Sequence, residues 1–235
     1  MQRSNHFKLT TRAAITAALF VSLHAFAAPP PRAYHLELEA SPAAPFPFLA
    51  RFGKVDLHVF RGGVRAETLW LNAFSRNGDA ALTVLNPLGR MYVEMPVANI
   101  GPMVKKLGGS HDTISSAIPI ATPVRGKVKG IDALRYRLVY GPEAWIDLWT
   151  IDAIPENAQL RRIVNEFVSA LSPSTAAAAR TIPGTPVYVE LNFSHYKKLP
   201  LLRMKELKFD DEGESDALKV GMLYMKAPFT DAILK

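Results

Sequence analysis

An α+β fold with a mainly antiparallel sheet follows from three features of the chain. Apolar and polar residues alternate in short runs over most of its length, as half-buried strands require. Turn residues interrupt these runs at about 8–12-residue intervals, the spacing of an antiparallel meander. One segment after Pro155 switches to a helical period instead.

The N-terminal stretch reads apart from this pattern. Arg3, Lys8 and Arg12 form a positive region without acids, and an apolar run from Ala13 to Phe26 ends in Ala25-Phe26-Ala27. Residues 1–27 are expected to be a cleaved secretory signal, with 28–235 as a single domain. The run is too short to span a bilayer, and Pro29-Pro30-Pro31 stops it. The chain has no cysteine, so it has neither a disulfide framework nor the thiol of a lipidated N-terminus. The expected location is the periplasm: exported, soluble and not lipidated. Three cations of the formal +7 lie in this leader. The mild remaining basicity does not suggest nucleic acid.

The strands are expected in order. Tyr34–Ala40 alternates, with Tyr34, Leu36, Leu38 and Ala40 on one face and His35, Glu37 and Glu39 on the other. Lys54–Phe60 alternates likewise, and Arg61-Gly62-Gly63 turns it into a strand from Val64 to Leu71. Asn77-Gly78-Asp79 is the strongest hairpin signal and leads into Ala80–Leu85. Asn86-Pro87-Leu88-Gly89 closes that strand before Arg90–Met95. Val97–Leu107, ended by Gly108-Gly109, predicts a short helix. Strands resume at Val124–Lys129, turn at Gly130-Ile131-Asp132, and continue through Ala133–Tyr140 and Ala144–Ile151.

Leu160, Ile163, Val164, Phe167, Val168 and Leu171 then recur along one helical face, opposite Arg161, Arg162, Asn165 and Glu166. Ser172-Pro173 breaks this helix, and Ser174–Arg180 adds an alanine-rich turn or two. Strands follow at Pro186–Ser194, at Leu201–Phe209 and, past an acidic loop from Asp210 to Asp216, near Leu218–Met225.

Large apolar residues are in surplus at alternating positions: Trp70, Met91, Val93, Met95, Trp145, Trp149, Val187, Val189, Leu191 and Met204. They form either a filled core or the lining of an apolar cavity under a curved sheet. Arg125, Lys127 and Lys129 share one strand face, and Arg135 and Arg137 share one face of the next. With the turn at 130–132 the five make one basic patch. It would meet lipid head groups or an envelope protein partner, or form a solvated hairpin face.

Familiar catalytic signatures are missing. The sequence contains no Gly-x-Ser-x-Gly elbow, no His-Glu-x-x-His, no phosphate-binding loop and no dinucleotide fingerprint. Ser110-His111-Asp112 are direct neighbours, which suits a polar loop better than a triad. Asp56 and His58 share a strand face and are the best acid–base or metal pair, without a third group. The acids Asp210, Asp211, Glu212, Glu214 and Asp216 do not follow calcium-loop spacing. No metal, cofactor or catalytic residue is expected.

Several landmarks stand in a fixed order. They are Gly62-Gly-Val-Arg-Ala-Glu67, Arg90-Met-Tyr-Val-Glu94, Gly126-Lys-Val-Lys-Gly130 and Arg135-Tyr-Arg137. Trp149-Thr-Ile-Asp-Ala-Ile-Pro155, the helix and Pro183-Gly-Thr-Pro-Val-Tyr-Val-Glu190 follow. From Tyr34 to Phe209 the chain resembles a periplasmic domain of unknown function related to the LolA and LolB lipoprotein carriers. The resemblance implies a strongly curved antiparallel sheet, a half-open barrel, wrapped around one long and one or two short helices. It also implies binding of acyl chains without enzyme activity. The chain departs from LolB in having no cysteine for a lipid anchor, and its last 19 residues, from Ala217, fit the family poorly.

The expectation is therefore a periplasmic, non-enzymatic protein that binds a lipid or other hydrophobic molecule, a candidate carrier in envelope biogenesis. It has no stable membrane insertion. The alternative is an envelope interaction module with a filled core, docking a partner through the basic hairpin. A hydrolase built around His58 and Asp56 is a third reading.

Overall fold

The computed structural model describes residues 33–41, 53–106, 117–195, 198–210 and 214–228. The strands of the first half are β1 (Ala33–Ala40), β2 (Lys54–Val59), β3 (Gly63–Glu67), β4 (Asn72–Arg76), β5 (Ala81–Asn86) and β6 (Met91–Pro96). Those of the second half are β7 (Ile118–Val128), β8 (Ile131–Val139), β9 (Ala144–Thr150), β10 (Pro186–Phe193), β11 (Leu199–Asp210) and β12 (Met225–Lys226). The helices are α1 (Ile100–Lys106), α2 (Ala158–Leu171), α3 (Pro173–Ala179) and the single turn α4 (Glu214–Ala217). All of these lie within the compact unit Arg32–Lys235. None of the described helices is long and apolar enough to cross a membrane.

The strands form one large, curved, unclosed sheet in the order β12-β6-β5-β4-β3-β2-β1-β11-β10-β9-β8-β7. Every pairing is antiparallel except β12 with β6. Antiparallel pairing fixes which turns share an end. Turns 68–71, 87–90 and 140–143 lie at one end, here the upper end. Turns 60–62, 77–80 and 129–130 lie at the lower end.

Period-2 alternation decides which face each side chain takes. Tyr34, Leu36 and Leu38 of β1 pair with Val59, Leu57 and Val55 of β2, so these six share the inner face. The helices cover that face. Leu160 of α2 joins the β1–β3 cluster. Val97, Ile100 and Val104, with Ala170 and Leu171 of α2, pack on Leu82 and Met95. Ala178 of α3 packs on Tyr136, Leu138 and Leu148.

Two caps define the helical run. Asn157 Oδ1 accepts from Leu160 N at 2.9 Å and starts α2. Ser172 ends α2 and also accepts from Thr175 N to start α3, with Pro173 in its first turn, where a missing N–H costs nothing.

Three expectations are corrected. The strand read from Val64 to Leu71 ends at Glu67, and a separate strand follows at Asn72–Arg76. Thr68 makes the unforeseen turn: its Oγ1 accepts from Trp70 N and Leu71 N and donates to Leu71 O. Second, the β7–β8 turn is Lys129-Gly130, both at positive φ, not Gly130–Asp132. Such a two-residue turn matches the strand twist. Third, Leu218–Met225 is not a strand; α4 and a turn precede the two-residue β12.

That C-terminal segment crosses the outer face. Leu218 is buried against Phe74 and Leu85, with Phe60, Tyr92, Val220 and Tyr224 around them. Arg65 Nη1 donates to Ala217 O at 2.8 Å and Arg76 Nη2 to Leu218 O at 3.0 Å, which ties the strap to β3 and β4.

Candidate functional site

Burial along the inner face changes from one end of the strands to the other. On β2, Val59 and Leu57 are buried but Val55 is half-buried; on β3, Val64 is buried and Ala66 half-buried. On β6, Met95 and Val93 are each 1% exposed, whereas Met91 at the upper end is half-buried. Met204 and Val187 are closed off, while Leu202, Val189 and Leu191 are not. The helix is closed at both ends and partly open between them. Leu160 and Leu171 are buried, but Ile163, Val164, Phe167 and Val168 between them keep partial exposure. Beneath α3 the gradient stops, because Tyr136 and Leu138 are buried there.

The lower end is closed by specific contacts. Gln159 Nε2, on the first turn of α2, donates to Ser75 Oγ at 2.7 Å and to Asp79 O at 3.0 Å. Tyr34 is buried there, and burial pushes its phenol up to about 12, with the Thr185 hydrogen bond pulling the other way. The arrangement is an apolar surface under α2, closed below on β1 to β6 and partly accessible above, although Leu207 and Phe209 of β11 keep exposure at the lower end and Leu38 and Ala40 of β1 are buried at the upper.

The ten apolar candidates therefore separate. Val93, Met95, Val187 and Met204 are packed core. Met91, Val189 and Leu191 are half-buried on the inner face of the upper half. Trp70 is not on a strand at all; it is 52% exposed at the tip of turn 68–71. Trp145 and Trp149 alternate with Ile146 and Leu148, whose side packs under α3, and so take the other face, with Trp149 also packed against the cluster that holds Ala133 and Val187.

On that other face the tryptophans meet arginines. Arg135 lies 5.7 Å from the Trp149 ring centre and Arg137 lies 4.9 Å from that of Trp145. Between them Arg137 Nε and Nη2 bind Asp147 Oδ1 and Oδ2 at 2.7 and 2.9 Å. Asp147 is buried, a state a carboxylate tolerates when a bidentate guanidinium holds it. The same bond holds the guanidinium above its ordinary value. Asn192 Nδ2 donates to Glu190 O at 3.2 Å, and Tyr188 Oη donates to Glu190 Oε2 at 2.8 Å. The Trp149 ring lies on Gly126, where a Cβ would come within 2.6 Å of it.

The five cations do not form one patch. The turn is displaced by one residue, and a one-residue shift moves a strand's side chains to the opposite face. Arg125 and Lys127 lie opposite Leu134 and Asp132, away from Arg135 and Arg137. Lys127 bonds Asp132 at 2.9 Å, and Lys129 is in the turn itself.

His58 does not pair with Asp56. The partner of Asp56 is His35, at 3.2 Å across the strand, and Lys54 Nζ bridges Glu37 and Asp56. His58 instead stacks between His35, at 4.3 Å, and Phe60, at 6.1 Å. Burial first, then His35, lowers its imidazole pKa. Among the described residues no three His, Cys, Asp or Glu side chains are grouped to hold a metal. Ser110, His111, Asp112, Asp211 and Glu212, like residues 1–27, lie outside the described residues.

Sequence periodicity found the inner face but not the exposure gradient along it. It missed Val55, Ala66, Leu202 and the middle of α2 as a group, because alternation does not tell how far a helix covers a strand.

No family model matches the chain, and no curated protein matches it. Among solved structures, an uncharacterized conserved protein from Thermus thermophilus is similar at a TM-score of 0.45 and 10% identity. That match covers 83% of this chain and 90% of the other. A putative outer membrane lipoprotein-sorting protein domain from Vibrio parahaemolyticus is similar at 0.28 and 9% identity, over 82% and 89% of the two chains. Scores below 0.5 at this identity leave the function to the chain's own residues.

Proposed function

We propose that the protein binds a lipid acyl chain or a similar hydrophobic molecule, without catalysis, between α2 and the upper half of the inner face. One observation carries the reading: apolar side chains in the upper half of the sheet and in the middle of the helix that covers it stay partly exposed. Val55, Ala66 and Leu202 face Ile163 and Val164 across the same cluster, and all five keep partial exposure. A fully packed α/β layer would bury them, because each apolar area left in water forgoes stabilisation. Pockets for hydrophobic ligands are apolar and largely formed before binding.

The sheet acts as a half-open barrel in this reading, with α2 as its partial plug. The leader-like N-terminus and the lack of cysteine make the protein a freely diffusing periplasmic binder, suited to a carrier step in envelope biogenesis. Native mass spectrometry of protein purified from its own envelope tests this. A lipid-sized adduct is expected, and Ala66→Trp, which fills the space beside Leu57 and Ala73, should remove it while the protein stays folded. A reproducibly empty wild-type protein, or an adduct indifferent to Ala66→Trp, overturns the reading.

A further inference from the structure

Among the described residues, five of the eleven exposed large apolar side chains gather on three turn tips, with Met225 beside them; Ile118, Ile120 and Val124 lie on β7, Phe193 on β10 and Phe209 on β11. Leu69 and Trp70 stand at the tip of turn 68–71, Leu88 at that of turn 87–90, and Met222 and Leu223 in the turn before β12. All three turns lie at the upper end, because β3 pairs with β4, β5 with β6, and Met225 sits beside Met91 at the start of β6. Four strand spacings separate β12 from β3, so the tips form a row about 20 Å long. Met222 is fully exposed and Leu223 is 72% exposed. Turn tips are ordinarily polar. The lower-end tips of this sheet, Arg61-Gly62, Asn77-Gly78-Asp79 and Lys129-Gly130, follow that rule.

We propose that this row of tips is a docking surface for a lipid bilayer. The backbone at the tips favours lipid over a protein partner. Trp70 N and Leu71 N donate to Thr68 Oγ1, Gly89 N donates to Asn86 Oδ1, and Tyr224 N donates to Gly221 O. These four donors are satisfied within the turns, which lowers the cost of entering the acyl boundary, where no water is available to take such groups. The residue types also fit: tryptophan suits the head-group level, and leucine and methionine the hydrocarbon below it. Charge does not oppose anionic head groups: Arg90 is exposed beside Leu88, and the acids Asp216, Glu94 and Glu67 are each matched by Lys219, Lys226 and Arg65. The row borders the accessible end of the groove, yet docking needs no ligand in it. The inference is independent of the proposed binding function.

Flotation with vesicles of phosphatidylethanolamine and phosphatidylglycerol tests it, using the protein as purified from its own envelope. The protein is expected to float with the vesicles, and the Trp70 emission to shift to shorter wavelength, a shift that Trp70→Phe removes. Leu88→Asp with Leu223→Asp should lower vesicle affinity by about tenfold or more, given two buried apolar groups each replaced by a charge. Val124→Asp, an exposed substitution on β7 away from the row, should leave it unchanged, with circular dichroism confirming the fold of each variant. Failure of the wild type to float overturns the proposal, as does equal loss in the Val124→Asp control. Ala66→Trp separates the two ideas: an emptied groove with undiminished flotation keeps the docking surface whatever becomes of the ligand.

Discussion

The two ends of the sheet are made from the same strands and differ in almost every other respect. At the lower end Met95, Val64 and Tyr34 are buried, Gln159 pins α2 to β4 and its following turn, and the hairpin tips are polar. At the upper end the same face leaves Met91, Ala66 and Leu202 half-exposed, and the tips are Leu69-Trp70, Leu88 and Met222-Leu223. The difference teaches that close packing is concentrated toward one end of the strand axis. One end supplies the close packing that keeps α2 on the sheet. The other leaves apolar surface exposed to be covered by something else. On the outer face the Arg137–Asp147 ladder holds the upper half of β8 and β9, while the C-terminal strap runs from Gly63 and Arg76 near the lower end to Met91 at the upper.

Two methionines on one strand give the largest expected contrast. Met95 and Met91 share the inner face of β6 and differ in burial. Met95→Ala should cost about 3 kcal/mol, in the range for truncating a fully packed side chain. Met91→Ala should cost about 1 kcal/mol or less, because much of its surface already meets water. Denaturant unfolding of both variants measures this, and equal losses would mean that the upper half is packed like the lower.

The outer ladder comes next. Arg137→Met keeps the stem over Trp145 but leaves buried Asp147 without its bidentate partner. A buried carboxylate without its counter-charge makes a loss of about 2–3 kcal/mol the expected outcome, below the full range because Arg137 is partly exposed and Trp145 Nε1 and Asn192 Nδ2 still donate to Asp147. Reversal by the double variant Arg137→Met with Asp147→Leu would place the cost in the stranded charge. A neutral Arg137→Met would show that something other than the ladder holds the upper end. Gln159→Ala at the lower end should cost less, about 1–2 kcal/mol for two buried hydrogen bonds, one of whose acceptors also takes Arg162. Amide exchange in that variant should rise at the start of α2 first.

The strand pattern was legible because alternation reports one physical fact, which face is dry. It gave β1, β2, β5, β6, β8, β9 and α2 nearly to the residue. It failed where a single side chain or one residue of register decides the outcome. Thr68 makes a turn without glycine, proline or asparagine, so β3 and β4 read as one strand and Trp70 as a strand residue. The β7–β8 turn is set by Lys129 at positive φ, a conformation a lysine does not advertise. That shift divided the five cations between two faces. Trp145 and Trp149 look like lining residues until the side chains over their rings are known to be Arg137 and Arg135. The strap was invisible for a related reason. Leu218 and Val220 cover an outer-face cluster of Phe60, Phe74 and Leu85 that alternation alone assigns to solvent.

The smallest effect expected is a pH dependence centred on the lower half. His58 lies between His35 and Phe60 on the outer face, in β2 beside Val59, with Asp56, Arg65 and Glu67 as its charged neighbours. Its pKa is lowered in the fold, so the unfolded chain takes up the proton more readily. The contribution is therefore fully present above the unfolded value of about 6.5 and is lost as pH falls through that value toward the folded one. His58→Phe keeps a flat ring in the stack and removes the titration. Stability of the wild type should decline from about pH 7 to pH 5 more steeply than that of His58→Phe, with amide exchange rising at Val59 and Val64 before Val55 and Ala66. Parallel pH profiles would mean that the stack is solvated at both protonation states. A decline that appears first at Val55 and Ala66 would make the upper end, not the lower, the part of the sheet that acid opens.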